Sequence, residues 1–388
     1  SVTIGDCEFE SNSAGQDGGG LHIDGSNATI RHCTFGANTA SLEGGALAVV
    51  AYSVAAIDSC GLRNNSASSG GGIYAYHSTA VVDHSYFTSN SAIELGGGIY
   101  THHSTMTVTQ SYFESNSVSE RGGGVLAHYS KIAVNDSSFT MNYAGWYAGG
   151  LYVYEYSIGI VTGSSFILNS ADQGGGGFLA WLSLAVTIIE STFRSNSVLV
   201  DVGGGLYLGY SPVSVIDSSF VSNYANTQGG GIYLISATVE IDKCSFLSNY
   251  ATDLGTDVLS SGSTVNISNT YLNSTFREGT QVEDGSSFLA SCTSGCRGGE
   301  YGVCVAVGDC WSCKLNQCRE CPIGKSSKAG AASESGCTSC EIGKFNNQTA
   351  ASTCSVCGPG YYASDASGNG VSSMAIACFE CPAGKYHD

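Results

Sequence analysis

The stretch that decides the fold is residues 70–95, GGGIYAYHSTAVVDHSYFTSNSAIEL. Short alternating segments are separated by small and polar residues without any 3.6-residue periodicity, which predicts strand–turn–strand–turn rather than helix. Its Phe87/Asn90 pair recurs along the chain as an aromatic residue or leucine followed three residues later by asparagine. The pairs are Phe9/Asn12, Phe35/Asn38, Leu62/Asn65, Phe87/Asn90, Phe113/Asn116, Phe139/Asn142, Phe166/Asn169, Phe193/Asn196, Phe220/Asn223 and Phe246/Asn249. Successive pairs are 25 to 27 residues apart, and a fixed period of this size predicts a solenoid.

A period of this length suits a three-faced, right-handed parallel β-helix, so the predicted fold class is all-β. The repeat covers residues 1–285, about eleven coils, and fades after Ala251. The Phe column is expected to stack inside the helix. The Asn column is expected to form an amide ladder, which satisfies polar groups that are costly to bury. The structural ladder is expected to contain Asn90, Asn116, Asn142, Asn169, Asn196 and Asn223.

Composition restricts the classes of function. With 14 basic and 32 acidic residues the chain carries a net charge of −18, which argues against nucleic-acid binding through a basic patch. No run of 18 apolar residues occurs, so no transmembrane span is predicted in this segment. The chain opens on a strand-like stretch already in the repeat, and we expect it to be a mature or internal segment of a longer protein.

Sequons and cysteines predict a secreted or cell-surface protein with N-linked glycans. Of the 17 cysteines, 13 follow residue 290, and dense cysteine blocks are typical of oxidising compartments. The glycosylation pattern occurs six times, and each occurrence taken alone is also explained by chance in a chain rich in Ser and Asn. The sequons begin at Asn27, Asn64, Asn135, Asn266, Asn273 and Asn347.

The Phe-x-x-Asn pairs and the Gly-Gly-Gly-[Ile/Leu/Val/Phe] runs resemble the repeats of the chlamydial polymorphic outer-membrane protein family. Only Gly44-Gly45-Ala46-Leu47 has the strict form of that family's glycine motif. The resemblance covers residues 1 to about 285 and implies a right-handed β-helix of the pectin-lyase-like type. Bacterial members of the family are adhesins. Because one fold can carry many functions, the resemblance is informative about the fold and only weakly informative about function.

Residues 286–388 form the second predicted domain, in which Cys-[Pro/Glu/Gly]-x-Gly-[Lys/Tyr] recurs between Cys-x-x-Cys pairs. This pattern resembles the cysteine-rich repeats of ephrin-receptor-like extracellular regions. The resemblance implies the disulfides Cys321–Cys337, Cys340–Cys354 and Cys357–Cys378. Spacing alone also allows zinc, because Cys-x-x-Cys pairs are common zinc ligands. Pairing stays unassigned among Cys292, Cys296, Cys304, Cys310, Cys313 and Cys318.

Within the repeat, Cys7, Cys33 and Cys60 share one column, two residues before the Phe position. Neighbouring coils of a β-helix bring equivalent Cα atoms about 4.8 Å apart, within the range that a disulfide accepts. We therefore predict a Cys33–Cys60 disulfide, which leaves Cys7 over. Cys244 occupies the same column and is expected to be a buried thiol.

Aromatic residues fill two columns that are expected to face outward after each glycine run. They are Tyr74, Tyr100, Tyr152, Tyr207 and Tyr233 in the first column, and Tyr76 and Trp181 in the second. Such a strip suits contact with another subunit or stacking on sugar rings. Simple β-propensity, with stacked aromatics stabilising adjacent strands, is the third explanation.

An enzyme would need carboxylates gathered on adjacent coils. The best column is Arg31, Asp58 and Asp83, followed by His84. We interpret it as a polar turn column with an ion pair, and we predict no catalytic residue, no metal site and no cofactor.

These patterns together predict a non-enzymatic, extracellular structural protein. Its glycosylated β-helix is expected to self-associate into a fibre or cell-surface coat. The alternatives are an adhesin or glycan-binding surface protein and, second, a polysaccharide lyase or hydrolase.

Overall fold

The computed structural model describes residues 1–268, 270–272, 280–282, 287–291, 300–307, 310–321, 325–326, 337–340, 344–345, 349, 352–357, 361–364 and 377–380. The chain forms two compact units, one of Ser1–Val265 with Leu272–Ser287 and one of Asn266–Tyr271 with Phe288–Asp388. All regular structure in the described ranges is β, without helix. The sequence-based boundary at residue 285 stays a prediction.

Residues 2–261 form ten coils of a parallel β-solenoid, each of which adds one strand to each of four sheets, where the sequence predicted two strand segments and three faces. Sheet 1 comprises Val2–Gly5, Asn27–Arg31, Val54–Asp58, Thr79–Asp83, Thr105–Thr109, Lys131–Asn135, Ile158–Thr162, Ala185–Ile189, Pro212–Ile216, Thr238–Asp242, Thr264–Ser268 and Ser287–Ser291. Sheet 2 carries the Phe column and comprises Glu8–Glu10, Thr34–Gly36, Gly61–Arg63, Tyr86–Thr88, Tyr112–Glu114, Ser138–Thr140, Ser165–Ile167, Thr192–Arg194, Ser219–Val221, Ser245–Leu247 and Tyr271–Leu272.

The two remaining sheets lie on either side of the glycine runs. Sheet 3 comprises Ser13–Ala14, Thr39–Ala40, Ser66–Ser69, Ser91–Leu95, Ser117–Val118, Tyr143–Ala144, Ser170–Ala171, Ser197–Val198, Tyr224–Ala225 and Tyr250–Ala251. Sheet 4 comprises Leu21–Asp24, Leu47–Val50, Ile73–Tyr76, Ile99–His102, Val125–His128, Leu151–Tyr154, Phe178–Trp181, Leu206–Gly209, Ile232–Ile235, Val258–Ser261 and Thr280–Val282. Most sheet 3 strands are two residues long, too short to show an alternating pattern, which is why the sequence did not reveal them.

The Phe stack and the Asn ladder are confirmed. The Phe113 ring lies 4.6 Å from that of Phe87 and 4.7 Å from that of Phe139, nearly parallel to both. The Asn116 side chain donates to the Phe87 carbonyl at 2.9 Å and to Asn142 Oδ1 at 3.0 Å. All six ladder residues predicted from the sequence are fully buried. Each buried amide is thus satisfied by the neighbouring coils, which ties every coil to the next.

A buried carboxylate follows the last asparagine of the ladder. Asn249 Nδ2 donates to Asp257 Oδ1 at 3.0 Å, and Asp257 is 1% exposed. An acceptor therefore continues the pattern in a coil that lacks the Phe/Asn pair.

An extra turn residue explains two of the 27-residue spacings between successive Phe/Asn pairs. The turn between sheets 4 and 1 has one residue with positive φ at His77 and His103, but two at Ala51-Tyr52 and at Glu155-Tyr156. The extra residue widens the turn without disturbing the strands, so the motif spacing across these turns is 27 residues.

The glycine runs allow neighbouring coils to approach closely. A Cβ added to Gly97 would meet the carbonyl oxygens of Gly123 and Ser117. In the coil that carries Gly44-Gly45-Ala46-Leu47, Leu47 rather than Ala46 pairs with Ile73. Ala46 occupies the place of the third glycine, so the inward column in that coil begins one residue later.

The second unit contains antiparallel strand pairs and disulfides. The pairs are Glu300–Val307 with Cys310–Glu320, Lys325–Ser326 with Thr338–Ser339, Lys344–Phe345 with Ser355–Val356, and Tyr361–Ser364 with Ala377–Glu380. The disulfides Cys321–Cys337 and Cys340–Cys354 are confirmed, so these four cysteines are not zinc ligands. Cys357 is also disulfide-bonded, whereas the side chain of Cys378 lies outside the described residues. These bonds indicate an oxidising compartment.

Candidate functional site

An exposed column of large side chains runs along the turn between sheets 4 and 1, and we call it the corner column. Its members have φ values between 46° and 62°, the left-handed region, and all are exposed except the half-buried His77. They are Tyr52, His77, His103, Tyr129, Tyr156, Leu182 and Tyr210. The sequence analysis missed this column because it lies in a turn, one or two residues beyond the strand pattern.

The corner column borders a groove of about 510 Å³. The rest of the lining consists of Ser and Thr side chains from the adjoining turn and sheet 1, together with Lys131 and Ile158, and it includes no Asp or Glu. The His77 and His103 rings stack at 4.9 Å, and His103 stacks on Tyr129 at 4.8 Å. Most ring faces in the groove are therefore covered by neighbouring rings, and ring edges face outward.

The prediction that the aromatic strip is exposed is wrong for three of the five residues in its first column. Tyr74, Tyr100 and Tyr152 are only 9%, 5% and 4% exposed. They form a buried cluster with Leu126, Ala148 and Leu179 on the outer face of sheet 4, against which Leu95 and Tyr147 pack. Segments between sheet 3 and the glycine runs fold over the sheet and bridge from coil to coil, and this cover removes the tyrosines from solvent.

The other residues of that predicted strip are half-buried. They are Tyr76, Trp181, Tyr207 and Tyr233.

A second, more enclosed cavity of about 200 Å³ lies under this cover, and we call it the arginine pocket. It is lined by Arg121, Tyr147, Tyr152, Tyr154, Leu179, Trp181 and Tyr207. The Arg121 guanidinium carbon lies 5.5 Å from the Trp146 ring centre and 5.9 Å from that of Tyr154. Arg121 Nε is buried and has no hydrogen-bond partner. The sequence analysis did not single out Arg121.

Histidines and a glutamate adjoin the arginine pocket. His102 and His128 stack at 4.9 Å, and His128 Nε2 lies 3.2 Å from Glu155 Oε2. Tyr154 donates its hydroxyl to Glu155 Oε1 at 2.8 Å. Burial, followed by repulsion from His128, His103 and His77, lowers the pKa of His102 to about 4.

His102→Tyr is expected to reduce the acid sensitivity of the fold. The pKa of His102 is lower in the folded protein than its ordinary 6.5, so the unfolded chain binds more protons between pH 6.5 and 4. Stability from neutral His102 is therefore present above pH 6.5 and is lost as the pH falls towards 4. Tyrosine already occupies this column at Tyr76 and Tyr154, so the substitution keeps the aromatic stack.

Urea unfolding at pH 7.5, 5.5 and 4.5 measures this effect in wild type and variant. Glu43, whose pKa is raised to about 7 mainly by burial, makes both proteins more stable as the pH falls, which is opposite to the effect of His102. Because Glu43 is present in both proteins, the difference between their plots of unfolding free energy against pH isolates His102. Parallel profiles would contradict the assignment.

The polar turn column predicted from the sequence lies near sheet 1. Arg31 Nε is 3.8 Å from Asp58 Oδ2, and His84 Nδ1 is 3.0 Å from Asp83 Oδ2. Asp58, Asp83 and His84 place one ligand atom each within 4.8 Å of one another, the only group of three or more such residues in the described ranges. Two carboxylates and an imidazole are suitable ligands for a divalent cation, but exposed groups of this kind are common without one.

The predicted Cys33–Cys60 disulfide is wrong, because both residues are free thiols, as is Cys7. Cys60 Sγ points to the Asp58 carbonyl at 3.3 Å and accepts from Cys33 N at 3.5 Å. Ser85 repeats this pattern in the next coil, where its hydroxyl donates to the Asp83 carbonyl at 2.8 Å. Side chains in register point the same way, so each sulfur faces its own turn despite the short coil spacing. The predicted burial of Cys244 is confirmed.

Cys33→Ser and Cys60→Ser are expected to change stability by less than about 1 kcal/mol, because serine fills the same column elsewhere. Burial raises the pKa of Cys60 to about 11, which keeps the thiol protonated and unreactive at neutral pH. Iodoacetamide should label both cysteines only after unfolding, as measured by peptide mass spectrometry. A bridged Cys33–Cys60 peptide in unreduced protein would refute the thiol assignment.

The structure describes four of the six sequons. Asn27, Asn64 and Asn266 are exposed and Asn135 is half-buried. Asn273 and Asn347 lie outside the described residues. Glycosylation stays a prediction at all six.

Comparison with known proteins supports the fold. Residues 1–139 match the family model described as a right handed beta helix region. No curated protein and no solved structure gives a significant match to the chain. In the described ranges, no helix has the length and hydropathy needed to cross a membrane.

Proposed function

We propose that the protein is a non-enzymatic, extracellular structural protein whose solenoid self-associates side by side through the corner column, building a fibre or a cell-surface coat. The observation that carries the proposal is the exposure of this column. Tyr52 is 81%, Tyr156 64% and Tyr210 47% exposed, and all three lie in the turn between sheets 4 and 1 along one edge of the solenoid. Aligned, exposed apolar side chains of this kind mark contact surfaces.

The charge distribution favours a second copy as the partner. The chain has a net charge of −18, so most approaches between two copies are repulsive. The groove beside the corner column has no Asp or Glu in its lining, so two copies can meet there without opposing carboxylates. Stacking of sugar rings is less favoured at this surface, because ring faces such as those of His77 and His103 already cover one another.

The stacked interior suits a structural role. Continuous Phe and Asn columns resist bending and shear between coils, since each coil shares hydrogen bonds with both neighbours. Disulfides in the second unit support an extracellular location, where such bonds persist.

Sedimentation velocity tests self-association directly. Wild type is expected to form larger species as concentration rises, with filaments or sheets in negative-stain images, whereas the triple variant Tyr52→Ser, Tyr156→Ser, Tyr210→Ser stays monomeric. Tyr86→Ser with Tyr112→Ser is the matched control, because these stacked tyrosines are 55% and 49% exposed on sheet 2. Monomeric wild type at all concentrations, or equal loss of assembly in the control, would refute the proposal.

The lyase or hydrolase alternative rests on Asp58 and Asp83, which neighbouring strands of sheet 1 place in register. Release of reducing ends from pectin- or alginate-like polysaccharides, abolished by Asp83→Asn, would replace the structural proposal. The structural proposal expects no release by either protein.

A glycan-binding surface protein is the second candidate function. The arginine pocket favours it, because a small enclosed cavity with aromatic walls and one cation is suited to a ligand rather than to another protein surface.

A further inference from the structure

We propose that the arginine pocket binds a single carboxylated sugar ring, such as a uronic acid, with Arg121 recognising the carboxylate. The inference rests on the glycan-binding candidate and names its site and ligand class. It is independent of self-association through the corner column.

Arg121 is a cation without an internal anion. No carboxylate of the described residues forms an ion pair with it, and its buried Nε has no hydrogen-bond partner. The rings of Trp146 and Tyr154 lie near the guanidinium and help to fix its plane. A partly buried guanidinium is usually paired, and a carboxylate is the group that its forked donors match best.

The walls of the pocket suit a sugar ring. Leu179 and the aromatic rings offer apolar surface to the C–H faces of a pyranose, while the tyrosine hydroxyls and the indole N–H offer hydrogen bonds to its edge. Burial raises the pKa of Tyr152 and Tyr207, so both hydroxyls stay protonated at neutral pH and can donate as well as accept.

Two glycines make room for the walls. The column that carries Arg121 and Tyr147 continues with Gly174, where an added Cβ would lie 2.6 Å from Tyr207 Cδ1. In sheet 4, Gly209 pairs with Trp181, and a Cβ there would overlap the indole. Tyr207 and Trp181 hold their places only because both neighbours lack side chains, so the pocket belongs to these coils and not to the repeat in general.

The size of the cavity limits the ligand. About 200 Å³ is smaller than the pockets that hold drug-sized molecules, and it suits one ring. The ligand is therefore a free sugar acid or the terminal acidic residue of a glycan.

Calorimetric titration with D-glucuronate and D-galacturonate tests the proposal, with D-glucose as the neutral probe and benzoate as the planar carboxylate. At least one uronate is expected to bind, and D-glucose at least about tenfold more weakly, because a hydrogen-bonded charge pair is lost. Arg121→Gln should weaken uronate binding by about tenfold or more while leaving sedimentation unchanged. Arg63→Gln is the control, since this exposed arginine pairs with Glu10 at 3.6 Å and should leave binding unaltered. Comparing the affinity of a trisaccharide that ends in a uronate with that of the free uronate shows whether the ligand is the end of a glycan or a free sugar acid.

Three results would overturn the inference: no uronate binding, equal binding of D-glucose, or binding of benzoate alone. If Arg121→Gln does not fold, the salt dependence of the wild-type protein decides the question. Uronate affinity should fall as ionic strength rises while that of D-glucose does not, and a salt-independent uronate affinity would count against Arg121. Loss of uronate binding with intact self-association leaves the structural proposal standing.

Discussion

Asn142→Ala is expected to lower the free energy of unfolding by on the order of 5 kcal/mol, because it leaves several buried groups without partners. Asn142 Nδ2 donates to the Phe113 carbonyl and to Asn169 Oδ1, both at 2.9 Å. Its Oδ1 accepts from the backbone N and the Nδ2 of Asn116, both at 3.0 Å. Alanine fills none of these roles, and water has no access to a fully buried site.

Asn12→Ala is the matched control for the ladder. Asn12 is exposed, and its side chain makes one hydrogen bond in the ladder, from Nδ2 to Asn38 Oδ1 at 2.8 Å. Its removal should cost about 1 kcal/mol, the typical value for a single hydrogen bond. Urea unfolding gives both free energies, and hydrogen exchange shows whether opening spreads from the altered coil. Equal losses for the two variants would contradict a ladder whose strength comes from burial.

Phe113→Ala is expected to cost about 3–5 kcal/mol, the usual range for removal of a buried phenylalanine. The ring is fully buried between Phe87 and Phe139, so its removal leaves a cavity that neighbours held by the ladder cannot fill. A solenoid distributes its stability over nearest-neighbour coil interfaces, so the loss should appear as faster exchange in the strands next to residue 113.

Tyr112→Ala controls for Phe113→Ala within the same strand. Tyr112 faces outward, is 49% exposed and stacks on Tyr86 at 5.0 Å. A cross-strand aromatic pair on an exposed face contributes less than about 1 kcal/mol, so the control should retain nearly wild-type stability. A larger loss for Tyr112→Ala than for Phe113→Ala would mean that the strand faces are reversed.

The interior could be predicted from the sequence because one residue type recurs at one period. Each Phe and each Asn occupies an equivalent position in every coil, so the spacing alone places Phe113 over Phe87. The exterior does not repeat in this way. Leu95, Arg121 and Tyr147 occupy one column, yet differ in size and charge, so no pattern indicated that they cover Tyr100 and Tyr152.

The arginine pocket could not be predicted from the sequence for a related reason. It depends on the absence of a side chain at Gly174 and Gly209, and one glycine in a chain with 53 glycines carries no signal by itself. The predicted Cys33–Cys60 disulfide is wrong for a different reason. The prediction considered only the distance between coils, whereas the direction of each sulfur is set by the same hydrogen bonds that serine makes at this position in other coils.

Dipolar electron paramagnetic resonance tests the stacking of coils in register most directly. Nitroxides attached through a non-natural ketone amino acid at Ala56 and, in separate variants, at Ile160, Thr187, Ser214 or Glu240 report distances along one outward column of sheet 1. These positions are linked by pairing from coil to coil. Stacked coils predict a mean distance that grows by about 4.8 Å with each further coil, with narrow distributions. A distance that stops growing, or that does not follow coil number, would contradict the solenoid and everything inferred from it.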